Sequence, residues 1–219
     1  GAFQSPQILQ LSGIGDASEL KAHGIDSRLD LSGVGKNLSD HLFVNMNAQA
    51  STKGQSYNVA LGVKNYLDYT FKKQGPLSSS PLEAAAFFDS VNQSEVPDLQ
   101  FHFSSAWAYD MYDYGKMPLS DGFTILPTLL KPKSRGTVTL RSSAYHEAPV
   151  IDPRYLSEKE DLETLKRGVR IARDIVLSTA FDGLRKGSEL NYPSGPWSEE
   201  LIEKHIEQAT ECVYHPVGT

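Results

Sequence analysis

Cysteine occurs once in the 219 residues, at Cys212. A lone cysteine excludes an internal disulfide framework, and without CxxC or Cys/His spacing there is no structural zinc pattern. No apolar run approaches the ~20 residues needed to cross a bilayer, so the chain carries no strong membrane signal. Basic residues are outnumbered, with 21 Lys and Arg against 27 Asp and Glu and a net charge of −6. They form no cluster, so the electrostatic footprint of a nucleic-acid binder is missing. HExxH, GxSxG and P-loop patterns are absent, which removes local support for metalloprotease, α/β-hydrolase and NTPase chemistry. GxGxxG is missing too, and there is no internal repeat. The chain opens on Gly1 rather than Met, so the lack of a signal peptide says nothing about compartment. The sequons at Asn37 and Asn92 matter only in a secreted protein.

What is present reads as an ordinary globular chain, 39% hydrophobic and 22% charged. Its length suits one large domain or two small ones. Near the start, Ser5 is the expected N-cap and Pro6 the first helical residue of a helix with an apolar face at Ile8, Leu9 and Leu11. Ser12, Gly13 and Gly15 end it. A second short helix is expected from about Asp16 to Ala22, stopping near Gly24. Free N–H groups and the macrodipole make a helix start with small residues a place for phosphate, so Gly1, Ala2 and Ser5 are candidate nucleotide contacts. A plain helix is the competing reading.

From about Phe43 the texture changes to short β-prone runs. Leu99 to Phe103 alternates as a half-buried strand should. Phe123 to Leu130 is a second run, in which Pro127 predicts an edge, a bulge or a break. Thr137 to Arg141 is a third, entered through a turn at Lys133 to Gly136. Ser157 to Glu160 forms a capping-box pattern, and Leu162, Leu165, Val169, Ala172 and Val176 then recur at helical spacing. A last helix is predicted from Ser198 to about Thr210, with Glu199 and Glu200 at its positive end. Strands and helices mixed without regular βαβ spacing indicate an α+β class built on an antiparallel sheet.

Two other stretches hint at a pocket. Glu83 follows the turn-rich segment 75–81 and precedes small and aromatic residues, so its carboxylate is a candidate partner for a cation or a hydroxyl group. It is equally readable as a solvated surface residue. Trp107, Tyr109, Tyr112 and Tyr114 form an aromatic run, either a gate or a packed loop.

Titratable chemistry converges on the end of the chain. His215 precedes Pro216, whose ring pushes it toward extended backbone, and Gly218 permits a close turn just after. Imidazole titrates near neutral pH, which suits proton transfer. Taken alone, the tetrapeptide also fits a histidine satisfied in a turn. His102 reads as a structural strand residue, and His23, His146 and His205 as exposed ones.

Five blocks in order resemble the glucose–methanol–choline (GMC) family of flavin oxidoreductases. They are residues 1–15, the Val34–His41 stretch with its Asn-Leu-Ser-Asp-His core, Lys131 to Leu140, Pro149 to Leu156, and Val213 to Thr219. The texture is most similar to the choline dehydrogenase and alcohol dehydrogenase branch. The resemblance implies residues 1–42 as part of an α/β FAD-binding domain, 43–210 as an antiparallel-sheet substrate domain with helices, and 211–219 as a return to the FAD domain. It gives His215 the role of accepting the hydroxyl proton of an alcohol while a hydride leaves for the flavin. FAD is the implied cofactor, with Gly1, Ala2, Ser5 and Val213 near it. Glu83 and Tyr214 are implied on the substrate side, although strand alternation points Val213 and Tyr214 away from His215. His41 is architectural in this scheme. The implied partners are a small alcohol (choline-like, aliphatic, aryl or sugar) and an electron acceptor, oxygen or a quinone.

In the family the GxGxxG unit would precede residue 1, and an Asn or His partner of the catalytic histidine would follow Thr219. The sequence is therefore expected to be an internal fragment that alone binds FAD weakly and does not turn over. A stand-alone binding module is the alternative, disfavoured by the apolar Leu9, Leu11 and Ile14. A flavin-containing lyase of the same family is another.

Overall fold

The computed structural model describes residues 1–51, 53, 56–57, 62–91, 96–107, 120–190 and 198–219. Tyr109, Tyr112, Tyr114 and the sequon at Asn92 lie outside the described residues. In chain order the elements are α1 (Gln4–Leu11), β1 (Ile14–Gly15), α2 (Ala17–Ala22), β2 (Leu29–Asp30), β3 (Leu42–Val44), β4 (Met46–Ala50), α3 (Val63–Lys72), β5 (Leu82–Phe88), β6 (Leu99–Ser104), β7 (Gly122–Leu129), β8 (Thr137–Thr139), β9 (Val150–Asp152), α4 (Lys159–Leu177), β10 (Arg185–Leu190), α5 (Glu199–Ala209) and β11 (Thr210–Cys212). They fall into two compact units. The first gathers Gly1–His41, Lys131–Asp161 and Cys212–Thr219, and the second Leu42–Leu130 and Leu162–Glu211. The Lys131–Asp161 stretch thus clusters with the two chain ends.

In the first unit, α1 starts at Gln4 with Phe3 at its N-cap and no side-chain cap. Ser5 lies inside the helix, its N–H already bonded to the Gly1 carbonyl at 3.0 Å, so the expected Ser5 cap is corrected. The expected apolar face is corrected as well. Ile8 is 63% exposed, whereas Pro6, Gln7 and Gln10 are buried. Amide side chains can satisfy backbone that no ladder reaches, and this decides the orientation. Gln10 Nε2 donates to the carbonyls of Val34 and Val138, and Gln7 Nε2 to that of Glu147. Asp16 caps α2 by accepting the N–H groups of Ser18 and Glu19. β1 pairs with β2 in parallel and β8 with β9 antiparallel.

The second unit is built on a seven-stranded sheet in which β7 is central. It pairs antiparallel with β6 on one side and with β3 and β4 on the other, and β5 extends the sheet beyond β6. Every residue of β7 is buried. Pro127 therefore sits inside a central strand, opposite Phe101, not at an edge, and the expected break falls in the ladder on the strand's other side. The opposite ladder shows why it is tolerated. Its pairs skip from Phe43 with Thr128 to Met46 with Ile125, and Pro127 falls in that gap, where a missing donor is not required.

Helix α4 lays Leu165, Val169, Ala172 and Val176, all fully buried, on the core side. Each of the Leu and Val side chains contributes about 1.5–3 kcal/mol by leaving water. Gly168 is what lets the helix approach. A Cβ there would stand 2.9 Å from the Pro127 Cβ and 3.3 Å from the Leu99 methyls. The charged side of α4 is tied to α5 through Lys166, whose buried ammonium meets Glu203 and, at 3.0 Å, Glu163. The Glu203 hydrogen bond leads in holding the Lys166 pKa above its ordinary value. Ser198 caps α5 by accepting the Leu201 N–H at 3.2 Å. Trp107 is 3% exposed and donates to the Ser120 carbonyl at 2.9 Å, so this member of the aromatic run is packed rather than a gate.

Candidate active site

The segment carrying His215 is held by the Asn37–His41 stretch of the same unit. Ser39 and Val217 exchange both backbone hydrogen bonds at 2.9 Å, and the Val213 N–H donates to the His41 carbonyl at 3.0 Å. Between these anchors, Tyr214, His215 and Pro216 stand opposite Asp40 alone. Surplus residues in one strand bulge outward, and His215 is exposed at this bulge. Pro216 has no N–H to place. The His215 N–H donates at 2.9 Å to Asp40 Oδ1, which also accepts the His41 N–H at 2.8 Å. Tyr214 takes a left-handed conformation, φ +61°, which costs a residue with a Cβ about 1–2 kcal/mol. Its side chain therefore does not follow simple strand alternation, which corrects that expectation. The turn closes through Gly218, φ +98°, where a Cβ would meet the Asn37 carbonyl at 2.4 Å.

Around the bulge lie Asp40, Tyr155, Cys212 and His41. Asp40 is 5% exposed. The Tyr155 hydroxyl points at Asp40 Oδ2 from 3.5 Å, too long for a strong hydrogen bond. Loss of solvent at that hydroxyl, then the neighbouring Cys212 and Asp40, push the Tyr155 phenol above its ordinary pKa. The imidazoles of His41 and His215 meet edge to face, with centroids 5.6 Å apart.

The same unit brings in the chain start, where Thr219 Oγ1 donates to the Ala2 carbonyl at 2.5 Å. Helix α1 has no side-chain cap and no acidic residue in its first turn, and a Cβ at Gly1 would meet nothing within 4 Å. An open helix start of this kind leaves donors for an anionic group. Ser5 adds a hydroxyl, and half-buried Val213 adds an apolar contact.

Glu83 belongs to the second unit, exposed on β5 rather than in the preceding turn. There it lines a cleft of about 480 Å³ together with Ser56, Phe103, Phe123 and Phe181. Phe123 and Phe181 stack with centroids 5.0 Å apart, and Phe103 lies 5.9 Å from Phe123.

Among the other histidines, His23 and His205 depart from their expected exposure, both being half-buried, and His205 has Nε2 3.2 Å from the Asn45 carbonyl. Burial holds the His205 pKa down at about 4, against the opposing pull of that carbonyl. Sequence reasoning missed Asp40 as a member of the site. Its only signal was its place within the Asn-Leu-Ser-Asp-His block. Among the described residues no group of three or more His, Cys, Asp or Glu side chains could hold a metal ion.

The structure thus presents an exposed histidine on a braced bulge and an uncapped helix start in one unit, on a mixed helix and sheet scaffold with antiparallel sheets. Family models described as GMC oxidoreductase match residues 1–43 and 132–219, together well over half of the chain. Alcohol dehydrogenase [acceptor] of Pseudomonas putida is 38% identical over 100% of this chain and 40% of its own length. Oxygen-dependent choline dehydrogenase of Brucella anthropi is 36% identical, again over 100% and 40%. A solved formate oxidase variant from Aspergillus oryzae RIB40, studied for FAD modification, superposes with a TM-score of 0.84 at 24% identity, covering 100% of this chain and 43% of that one. The chain belongs to the GMC oxidoreductase family, and it spans about two fifths of the length of the curated relatives it matches.

Proposed function

We propose that the protein carrying this chain is an FAD-dependent oxidoreductase, a dehydrogenase or oxidase that converts the CH–OH group of a small alcohol to a carbonyl. The observation that carries this reading is the braced, exposed bulge that presents His215. His215 is the base: its imidazole takes the proton of the substrate hydroxyl as the carbon loses a hydride. Bound FAD supplies the hydride acceptor, and oxygen or a quinone serves as the final electron acceptor.

The residues present fit that cofactor. Gly1, Ala2 and Ser5 form the uncapped start of α1, a suitable seat for an anionic portion. Val213 offers an apolar contact next to the histidine. We assign flavin binding to the first unit and substrate binding to the sheet unit. In the sheet unit, Glu83 with Phe103, Phe123 and Phe181 makes a cleft fitted to a small alcohol with a cationic or hydrogen-bonding tail. Tyr214, 57% exposed, is a further substrate contact.

The test is anaerobic mixing of the full-length flavoprotein with a panel of alcohols while flavin absorbance is followed. An oxidoreductase bleaches, and His215→Ala slows bleaching by about 10²–10⁴-fold with flavin content unchanged. Turnover of an alcohol-derived substrate without bleaching would favour lyase chemistry. A His215→Ala variant that bleaches at the wild-type rate would refute the base assignment.

A further inference from the structure

We infer that Asp40 is a positioning residue for His215. This rests on His215 being the base. The ladder between residues 39–41 and 213–217 is interrupted by two surplus residues, and the interruption leaves the His215 N–H with no opposing carbonyl. Asp40 fills that role with its side chain. One carboxylate oxygen accepts both converging donors, from His215 and from His41. Charge-assisted hydrogen bonds of this kind are shorter and stronger than neutral ones. Burial shields them from competing water.

Pro216 has no N–H to add to this hold, and Tyr214 is in a left-handed conformation, which costs a residue with a Cβ. Removing the acceptor releases the His215 N–H, and with it the His41 N–H, while the Ser39–Val217 pair and the bond from the Val213 N–H to the His41 carbonyl remain. The imidazole would still be present, but its position would no longer be set. A misplacement of about 1 Å is enough to cost on the order of 10²-fold in a proton-transfer geometry.

The experiment compares Asp40→Ala and Asp40→Asn with wild type and His215→Ala in the full-length flavoprotein. Two readouts are taken: site-resolved amide hydrogen exchange, and the split of flavin-reduction kinetics into kcat and KM. In Asp40→Ala the His215 amide is expected to exchange about 10- to 100-fold faster, with Ser39 and Val217 still protected. The maximal rate should fall by about 10- to 100-fold with KM nearly unchanged. Asp40→Asn keeps one acceptor and should fall between, and it keeps the test readable if the alanine variant does not accumulate. An unchanged His215 exchange rate would overturn the inference. So would faster exchange with an unchanged kcat in a protein that His215→Ala inactivates. Full turnover in His215→Ala would instead remove the base assignment, and the positioning role with it.

Discussion

His205 offers the sharpest test of the physics of the sheet unit. Its imidazole is half-buried on α5 against the Asn45 carbonyl, and its pKa is held at about 4 rather than 6.5. The folded state thus keeps His205 neutral where the unfolded chain would already be protonated. Between pH 6.5 and 4 the unfolded state binds more protons, so stability rises with pH through that window. The contribution is fully present above about pH 6.5 and lost progressively toward pH 4. A gap of this size corresponds to about 3 kcal/mol, and screening by water at the part-exposed ring reduces it. His205→Gln keeps a donor for the Asn45 carbonyl but cannot titrate. Urea denaturation at several pH values, read at α5, should show a steep wild-type loss from pH 6.5 to 4 and a shallower one in the variant. The two curves should converge as the pH falls. Parallel curves, or an NMR titration of His205 with a midpoint near 6.5, would refute the reasoning.

Two further outcomes follow from packing. Gly218→Ala forces a Cβ to 2.4 Å from the Asn37 carbonyl at a positive φ. It is expected to cost about 1–3 kcal/mol and to loosen the His215 turn, visible as faster exchange at Val217. Leu165→Ala, at a fully buried position, should cost about 2–5 kcal/mol in denaturation, whereas Ile8→Ser at a 63% exposed position should change the stability of this chain by no more than about 0.5 kcal/mol.

Much of the fold was legible because its signals are local. Apolar spacing along 162–176 placed α4 and its buried face, and Ser198 with Glu199 and Glu200 marked the start of α5. Asp16 and Gly24 bounded α2, and the alternation at Leu99 to Phe103 placed β6. The misreadings occurred where a distant partner overrides local preference. Ser5 looked like a cap, but the Gly1 carbonyl takes its N–H first. Ile8 and Leu9 looked like a core face, but Gln7 and Gln10 have backbone carbonyls to satisfy in segments far along the chain. Pro127 looked like an edge residue, but it lies in a central strand, at a gap between the pairings of β3 and β4, segments more than eighty residues earlier.

The candidate site divides the same way. The His215–Pro216 and Gly218 spacing pointed to a histidine biased toward extended backbone and to a close turn, since proline and glycine act through backbone sterics alone, and Gly218 does take a positive φ. The presentation of that histidine was decided by tertiary pairing. The register between residues 39–41 and 213–217 leaves two residues over, and only the buried Asp40 carboxylate across the gap receives the stranded N–H. A sequence carries local torsional preference and periodicity directly, but the partner of a given backbone donor is chosen by which segments meet in space.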